Sequence, residues 1–328
     1  MRFNHLRRRE FIPLLGGAAI AWPLVALAQQ PKVWRIGLLR ASTPPQRELD
    51  AFRRALAEQG FVEGRNVVLI HQGTDEPPDR LPALATALVN GGIDLIVADG
   101  GVAANAARRA TGTIPIVMAR SANPFEANLV QSLARPGGNV TGLSTQGVDI
   151  TSKLMELLKE MVPGLARLAA ISPPASHAVF ATAQDLAARS LGLTLTYIDL
   201  PSAEVIDNSM RQAVAAGAQA GLLRGTPFFS TAQRKVIVER ARDYRLPMMY
   251  EARDFVELGG FAAYGTDSVE LYRRAAEFVA KILQGANPGD LPIEQPTKFE
   301  FVLNLKTAKA LGLVLPETLL MRANEVIE

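Results

Sequence analysis

Residues 93–119 read IDLIVADGGVAANAARRATGTIPIVMA, and their pattern decides the fold. Ile93 to Ala98 is an apolar run of strand length. Gly100-Gly101 turns the chain into a helix ending near Ala110, and Ile114 to Ala119 is a second strand. Working upstream, 80–90 is a helix closed by Gly91-Gly92, and Val67 to Ile70 is a buried strand. Residues 46–59 place Leu49, Phe52 and Leu56 at helical spacing before Gly60, and Val33 to Leu39 is a strand broken by Ser42-Thr43-Pro44-Pro45. Strands alternating with helices of about 10 to 15 residues predict a doubly wound parallel sheet of the α/β class.

Downstream the order repeats. Leu168 to Ile171 is a strand, Ser172-Pro173-Pro174 breaks it, and a helix runs to Gly192. The strand Thr194 to Ile198 follows, then a helix around 207–216 and the strand Ala220 to Leu223. After the turn Gly225-Thr226-Pro227 come a helix at 230–243 and the run Leu246 to Tyr250. Gly60 and Gly192 are 132 residues apart, as are Pro115 and Pro247, and Ser42 and Ser172 are 130 apart. A register this constant over four strand-loop-helix units predicts two similar lobes rather than one continuous sheet.

The chain has 328 residues, 48% hydrophobic and 20% charged, enough for one large or two medium globular units. It contains no cysteine, which removes disulfides, thiolate zinc sites, iron–sulfur clusters and thiol catalysis together. With histidine only at 5, 71 and 177, neither a multi-histidine metal centre nor any cofactor is expected. The net charge of +3 hints at nucleic acid or a membrane surface, but its location removes the hint. Arg7, Arg8 and Arg9 precede an apolar run, Phe11 to Ala28, that is broken by Pro13 and Pro23 and ends in Ala26-Leu27-Ala28. This predicts an export signal cleaved after Ala28; the run is shorter than the roughly 20 residues a membrane span needs. Arg8-Arg9-Glu10-Phe11-Ile12 is similar to a twin-arginine signal. Residues 1–28 carry four arginines and one glutamate, so 31 basic and 31 acidic residues remain, and no nucleic-acid partner is expected.

In open parallel sheets, ligands collect beyond the carboxyl ends of the strands, where helix N-termini present unpaired N–H groups. Position alone therefore nominates Arg40, Ala41 and Ser42, then Asp99, Gly100 and Gly101, then Ser121, Ala122 and Asn123 in the first lobe. The second lobe offers Ser172, Pro173, Gly225, Thr226, Phe228, Tyr250 and Glu251. Each also has a plainer role as a helix cap or turn residue. Arg40, Arg120 and Arg224 each follow directly on an apolar strand, where a guanidinium can grip a carboxylate. Glu251 and Asp267 are placed to accept an ammonium or to pair with those arginines, and Phe228, Phe229, Tyr250 and Tyr264 to stack on a ligand or to fill the core.

Ser121-Ala122-Asn123-Pro124-Phe125 and the stretch from Leu133-Ala134-Arg135-Pro136-Gly137-Gly138 to Ser144 carry a resemblance. So do Tyr250-Glu251, Gly259-Gly260, Tyr264-Gly265, and the tail from Pro296-Thr297-Lys298-Phe299-Glu300 through Asn304 to Leu313. These segments resemble the substrate-binding proteins of ABC transporters, in the family that includes tryptophan- and tyrosine-type binding components. Members commonly carry Asp-Pro where this chain has Asn123-Pro124. The resemblance implies a type I periplasmic-binding fold, with two lobes joined by three crossovers near Ser144 to Asp149, Tyr264 to Asp267 and Leu291 to Pro296. Ser144, Thr145 and Asp267 then become hinge residues bordering the cleft. The implied lobes are 29–145 plus 266–292 and 146–265 plus 293–328. The implied function is a monomeric periplasmic receptor that captures a small solute, an aromatic or branched amino acid or a related organic acid. Its partners would be an ABC permease in the inner membrane and that permease's ATPase.

Catalytic signals are thin. There is no Walker loop and no Gly-x-Gly-x-x-Gly after a strand. Gly142-Leu143-Ser144-Thr145-Gln146-Gly147 misses the nucleophile elbow by one residue, and neither His71 nor His177 has a recognisable partner. The chain is expected not to be an enzyme. A sensor of the same fold that signals to a partner is the alternative, with a periplasmic hydrolase behind it; no helix-turn-helix segment precedes the lobes.

Overall fold

A strand with apolar side chains on both faces is stable only when both faces are covered, and the chain meets this need twice. The computed structural model describes residues 32–43, 45–73, 78–125 and 128–328, so the expected leader at 1–28 lies outside the described residues. In chain order, the first half consists of β1 (Trp34–Arg40), α1 (Gln46–Glu58), β2 (Val67–Gly73), α2 (Leu81–Asn90), β3 (Leu95–Asp99), α3 (Gly101–Ala110), β4 (Ile116–Ser121) and β5 (Val140–Ser144). There follow α4 (Thr151–Met161), β6 (Arg167–Ser172), α5 (Pro174–Leu191), β7 (Thr194–Asp199), α6 (Ile206–Ala215), β8 (Ala220–Leu223), α7 (Thr231–Asp243), β9 (Met248–Tyr250), α8 (Arg253–Glu257) and β10 (Ala262–Gly265). The chain ends with α9 (Ser268–Leu283), β11 (Glu300–Asn304), α10 (Leu305–Ala310), α11 (Glu317–Arg322) and β12 (Glu325–Ile327).

These strands make two sheets. The first is wholly parallel, in the order β2-β1-β3-β4-β5. The second runs β12-β11-β10-β9-β8-β6-β7 and is parallel except where β11 pairs antiparallel with β10. The α/β architecture of two doubly wound lobes is thus present, with the antiparallel β11 as an addition to the expected pattern.

Period-two alternation explains the covering. In β3, Leu95 and Val97 join Phe52 and Leu56 of α1 and Leu271 and Phe278 of α9 on one face. Ile96 and Ala98 join Leu88 of α2 and Ala103 and Ala107 of α3 on the other. The second sheet repeats the scheme, with Leu154 and Leu158 of α4 on one face and Met210 of α6 and Ile237 of α7 on the other. Helix α9 lies late in the chain yet packs on the first sheet, so the chain passes between the sheets after β5, after β10 and before β11. Before the last passage it runs along β5: Glu294 N–H donates to the Gly142 carbonyl at 2.9 Å and Ser144 N–H to the Glu294 carbonyl at 2.9 Å.

Gly142 sits in β5 with a φ of +128°, and a Cβ there would lie 2.2 Å from the Met118 carbonyl oxygen. Both the φ and the contact exclude a side chain. Gly142→Ala is expected to cost about 3 kcal/mol, read as a fall in the urea midpoint at unchanged slope; an unchanged midpoint would show that β4 and β5 are not so closely apposed.

Candidate functional site

The carboxyl ends of β1, β3, β4 and β5 face those of β8, β9 and β10 across one cavity. It holds about 890 Å³ of space free of atoms, its open mouth included. Protein contacts bridge the two lobes beside it. The Ser42 hydroxyl donates to the Pro227 carbonyl at 2.8 Å. Arg47 of α1 pairs with Glu257 of α8 at 3.0 Å and with Asp254 of α8. Asp254 in turn accepts from Arg234 of α7 at 2.6 Å.

The floor on the first-lobe side is an ion cluster. Asp99, at the end of β3, accepts from Arg40 Nη2 at 3.1 Å and from Arg120 Nε and Nη2 at 2.7 and 2.8 Å. Arg120 Nη1 lies 3.5 Å from the buried Glu48 of α1. Burial alone would raise the Asp99 carboxyl, but the charges of Arg120 and Arg40 outweigh it and bring it down to about 2. Burial likewise opposes the Arg120 guanidinium, and Asp99 and Glu48 together hold it well above its ordinary value. On the other side, the fully buried Arg224 sets Nε 3.0 Å from Glu251 and donates from Nη2 to the Gly147 carbonyl at 2.5 Å, with its guanidinium carbon 3.9 Å from the Phe180 ring centroid. The guanidinium closes on groups of the protein itself, and burial lowers its pKa while Glu251 opposes the fall.

The nominated residues divide by this geometry. Ala41, Asp99, Gly100, Gly101, Ala122, Thr145, Gly225, Phe228 and Glu251 line the cavity, as does Arg120. Arg40 stands behind Asp99, and Ser42 bridges the lobes. Ser121 is buried at the end of β4 with no partner for its hydroxyl among the described residues. The Asn123 side chain accepts from Phe125 N–H at 3.1 Å, and the Ser144 hydroxyl from Gln146 N–H at 3.0 Å. Pro173 precedes α5, and Thr226 opens a short turn. Tyr250 stacks in the core on Phe255 at 4.5 Å. Asp267 caps α9, accepting from Val269 N–H at 2.8 Å. Against expectation, His177 does have partners: Nδ1 lies 2.9 Å from the Ser172 hydroxyl and Nε2 3.0 Å from Asp199. The residues are 5 and 22 positions from it in sequence, so only the pairing of β6 with β7 brings Asp199 near.

Position at strand ends missed several lining residues, among them Val102 and Ala103 in the first turn of α3, Ser176, Val179 and Phe180 on α5, and Leu81 and Ile150. Ser176, Val179 and Phe180 are at helical spacing and share one face of α5, a signal present in the sequence. Leu81 and Ile150 carry none, because their approach depends on how the lobes meet. Among the described residues, no group of three His, Cys, Asp or Glu is placed to hold a metal ion.

Two α/β lobes meeting over one cavity at the carboxyl ends of both sheets define a solute-binding protein of the type I periplasmic-binding fold. The family model described as ABC transporter substrate binding protein matches residues 46–327, and the chain belongs to that family. A tyrosine-binding protein of Clostridioides difficile (strain R20291) is 28% identical over 271 residues, 80% of this chain and 75% of that relative. A Streptococcus pneumonia domain solved in complex with L-Trp is 26% identical, with a TM-score of 0.80 over 90% of this chain and all of that one. A conserved domain protein of Vibrio cholerae has a TM-score of 0.79 at 26% identity, over 90% of this chain and 100% of the other. One of these relatives is named for binding tyrosine, and another was solved with L-Trp bound.

Asp99→Asn leaves two buried guanidiniums short of a counter-charge and is expected to cost about 3–5 kcal/mol at pH 7. The native carboxyl titrates near 2, below the unfolded value of about 3.9. Its contribution is therefore complete above the unfolded value and lost as pH falls through the native one. Denaturant midpoints of the two proteins should converge as pH drops from about 4 to 2; a gap independent of pH would contradict the assignment.

Proposed function

We propose that the protein is the exported receptor of an ABC importer. Its leader is cleaved after Ala28, and the mature receptor works as a monomer in the periplasm. It captures a small organic solute between its lobes and delivers it to a permease driven by a separate ATPase. The observation that carries this reading is the cavity, enclosed by the carboxyl ends of both sheets and bridged at its edge by Ser42, Pro227, Arg47 and Glu257. In this reading the lobes are 29–145 plus 266–292 and 146–265 plus 293–328, and the passages near 144–149, 264–267 and 291–296 are the hinges that let the cavity open. Aromatic and branched amino acids and related organic acids are the candidate solutes, since the cavity is lined by apolar side chains such as Leu81, Ile150, Phe180 and Phe228 beside a few polar ones. The same capture by a sensor that signals to a partner needs no difference in the cavity.

Melting curves across amino acids, aromatic acids, nucleosides and sugars test the receptor role. A solute present at 100 times its Kd adds about 2.7 kcal/mol to stability and should stand out from the panel. Arg47 is about one-third exposed, so its bridge is worth on the order of 0.2–1 kcal/mol. Arg47→Ala should weaken that solute by up to about fivefold, mainly through faster release. An unchanged release rate would mean that the bridge plays no part in closure, and turnover of an ester or glycoside without any stabilising solute would contradict the receptor role.

A further inference from the structure

Phe228 belongs to both lobes at once. It follows β8 of the second lobe, on the short turn Thr226–Phe228, and lines the cavity. The same side chain packs against the apolar cluster of the first lobe that holds Leu39, Ala41, Leu81 and Ala103. Ala41, Leu81 and Ala103 line the cavity as well. The ring therefore stands where the cavity meets the core of the opposite lobe.

The turn that carries the ring is held from both sides. Gly225 opens it at a φ of +85°, and a Cβ there would lie 2.8 Å from Ser176 Oγ, so the position takes no side chain. Phe228 N–H donates to the Gly225 carbonyl at 3.0 Å. From the first lobe, the Ser42 hydroxyl donates to the Pro227 carbonyl at 2.8 Å. Pro227 also lies over Gly100, its Cβ 3.4 Å from where a Cβ on that glycine would stand. None of these bonds and contacts needs the Phe228 side chain. Cutting the ring back thus leaves the turn and the spacing of the lobes at this edge in place, and a site whose surroundings are fixed collapses only partly. The result is new apolar space continuous with the cavity. Phe180, the other aromatic of that wall, cannot serve in this way, because the Arg224 guanidinium carbon lies 3.9 Å from its ring centroid and cutting it back would uncover a buried charge.

We propose that Phe228 is a specificity-determining residue: its ring is the stop that sets how large an apolar body the cavity accepts, and a smaller side chain there admits a larger solute. This rests on the receptor role proposed above and adds to it the residue that chooses among solutes of one class.

Graded probes decide it. Titration calorimetry is run on the unaltered protein, Phe228→Ala and Phe228→Leu, first with L-leucine, L-phenylalanine and L-tryptophan, then with 4-methylpentanoate, 3-phenylpropanoate and 3-(indol-3-yl)propanoate. In a series that binds, Phe228→Ala should lower the Kd of the largest body relative to the smallest by about tenfold, the scale of one apolar group fitted or refused by a pocket. Phe228→Leu keeps part of the contact and should move the same ratio less; it decides the matter if the Ala variant does not fold. A ratio that stays the same or moves the other way, whether or not all members weaken together, means that the side chain only packs on the first lobe; it overturns the inference and leaves the receptor role standing. If none of the six binds, the inference fails, and the receptor role fails with it only if the wider solute panel is silent too.

Discussion

The structure depends on one buried carboxylate, Asp99, clasped by Arg40 and Arg120. Two guanidiniums out of water at the ends of β1 and β4 would be costly without it. With it they tie the carboxyl ends of three adjacent strands into a single floor beneath the cavity. The Tyr272 ring of α9 lies 5.7 Å from the Arg120 guanidinium carbon and 6.0 Å from that of Arg40, so the helix that returns from the far end of the chain packs on the floor it covers. Glu48 completes the cluster from the first turn of α1, where the helix dipole also favours a negative charge.

The second lobe answers with a different device. Arg224 spans from Glu251 to the Gly147 carbonyl in the first passage between the sheets and lies against Phe180, so the cavity wall and the passage share one residue. Arg234, buried on α7, is brought down to about 10 by burial, and Glu48 of the first lobe is the first charge that opposes the fall. The lobes therefore feel each other's charges across the cleft, in addition to touching through Arg47 and Ser42. On the proposed receptor role, a solute drives closure only to the extent that it binds a closed form better than an open one.

Much of this was legible in the sequence. The apolar runs at 93–98 and 114–119 around Gly100-Gly101 state the parallel α/β unit, and the spacings of Gly60 with Gly192 and Pro115 with Pro247 state its duplication. Strand ends marked Asp99, Gly100, Ala122, Gly225 and Glu251, all of which line the cavity. Glu251 was marked as a partner for the arginines and pairs with Arg224, but Glu48 was not legible as a partner of Arg120, because the two are 72 residues apart and meet only once α1 has packed on the sheet. Asp267 and Asn123, nominated as cleft residues, each accept from a backbone N–H two positions on, a local bond that sequence position did not single out. The antiparallel β11 and the His177 bridge to Asp199 follow from sheet order, which local pattern does not encode.

The claim that the cavity is a closing solute site is tested most directly by a distance between the lobes. The chain has no native cysteine, so spin labels at Ala57→Cys on α1 and Lys235→Cys on α7, both exposed, report one pair. Pulsed dipolar spectroscopy should show a longer or broader distribution in the free protein, collapsing to one short distance when a stabilising solute is added. An identical distribution with and without a solute that binds would contradict the account.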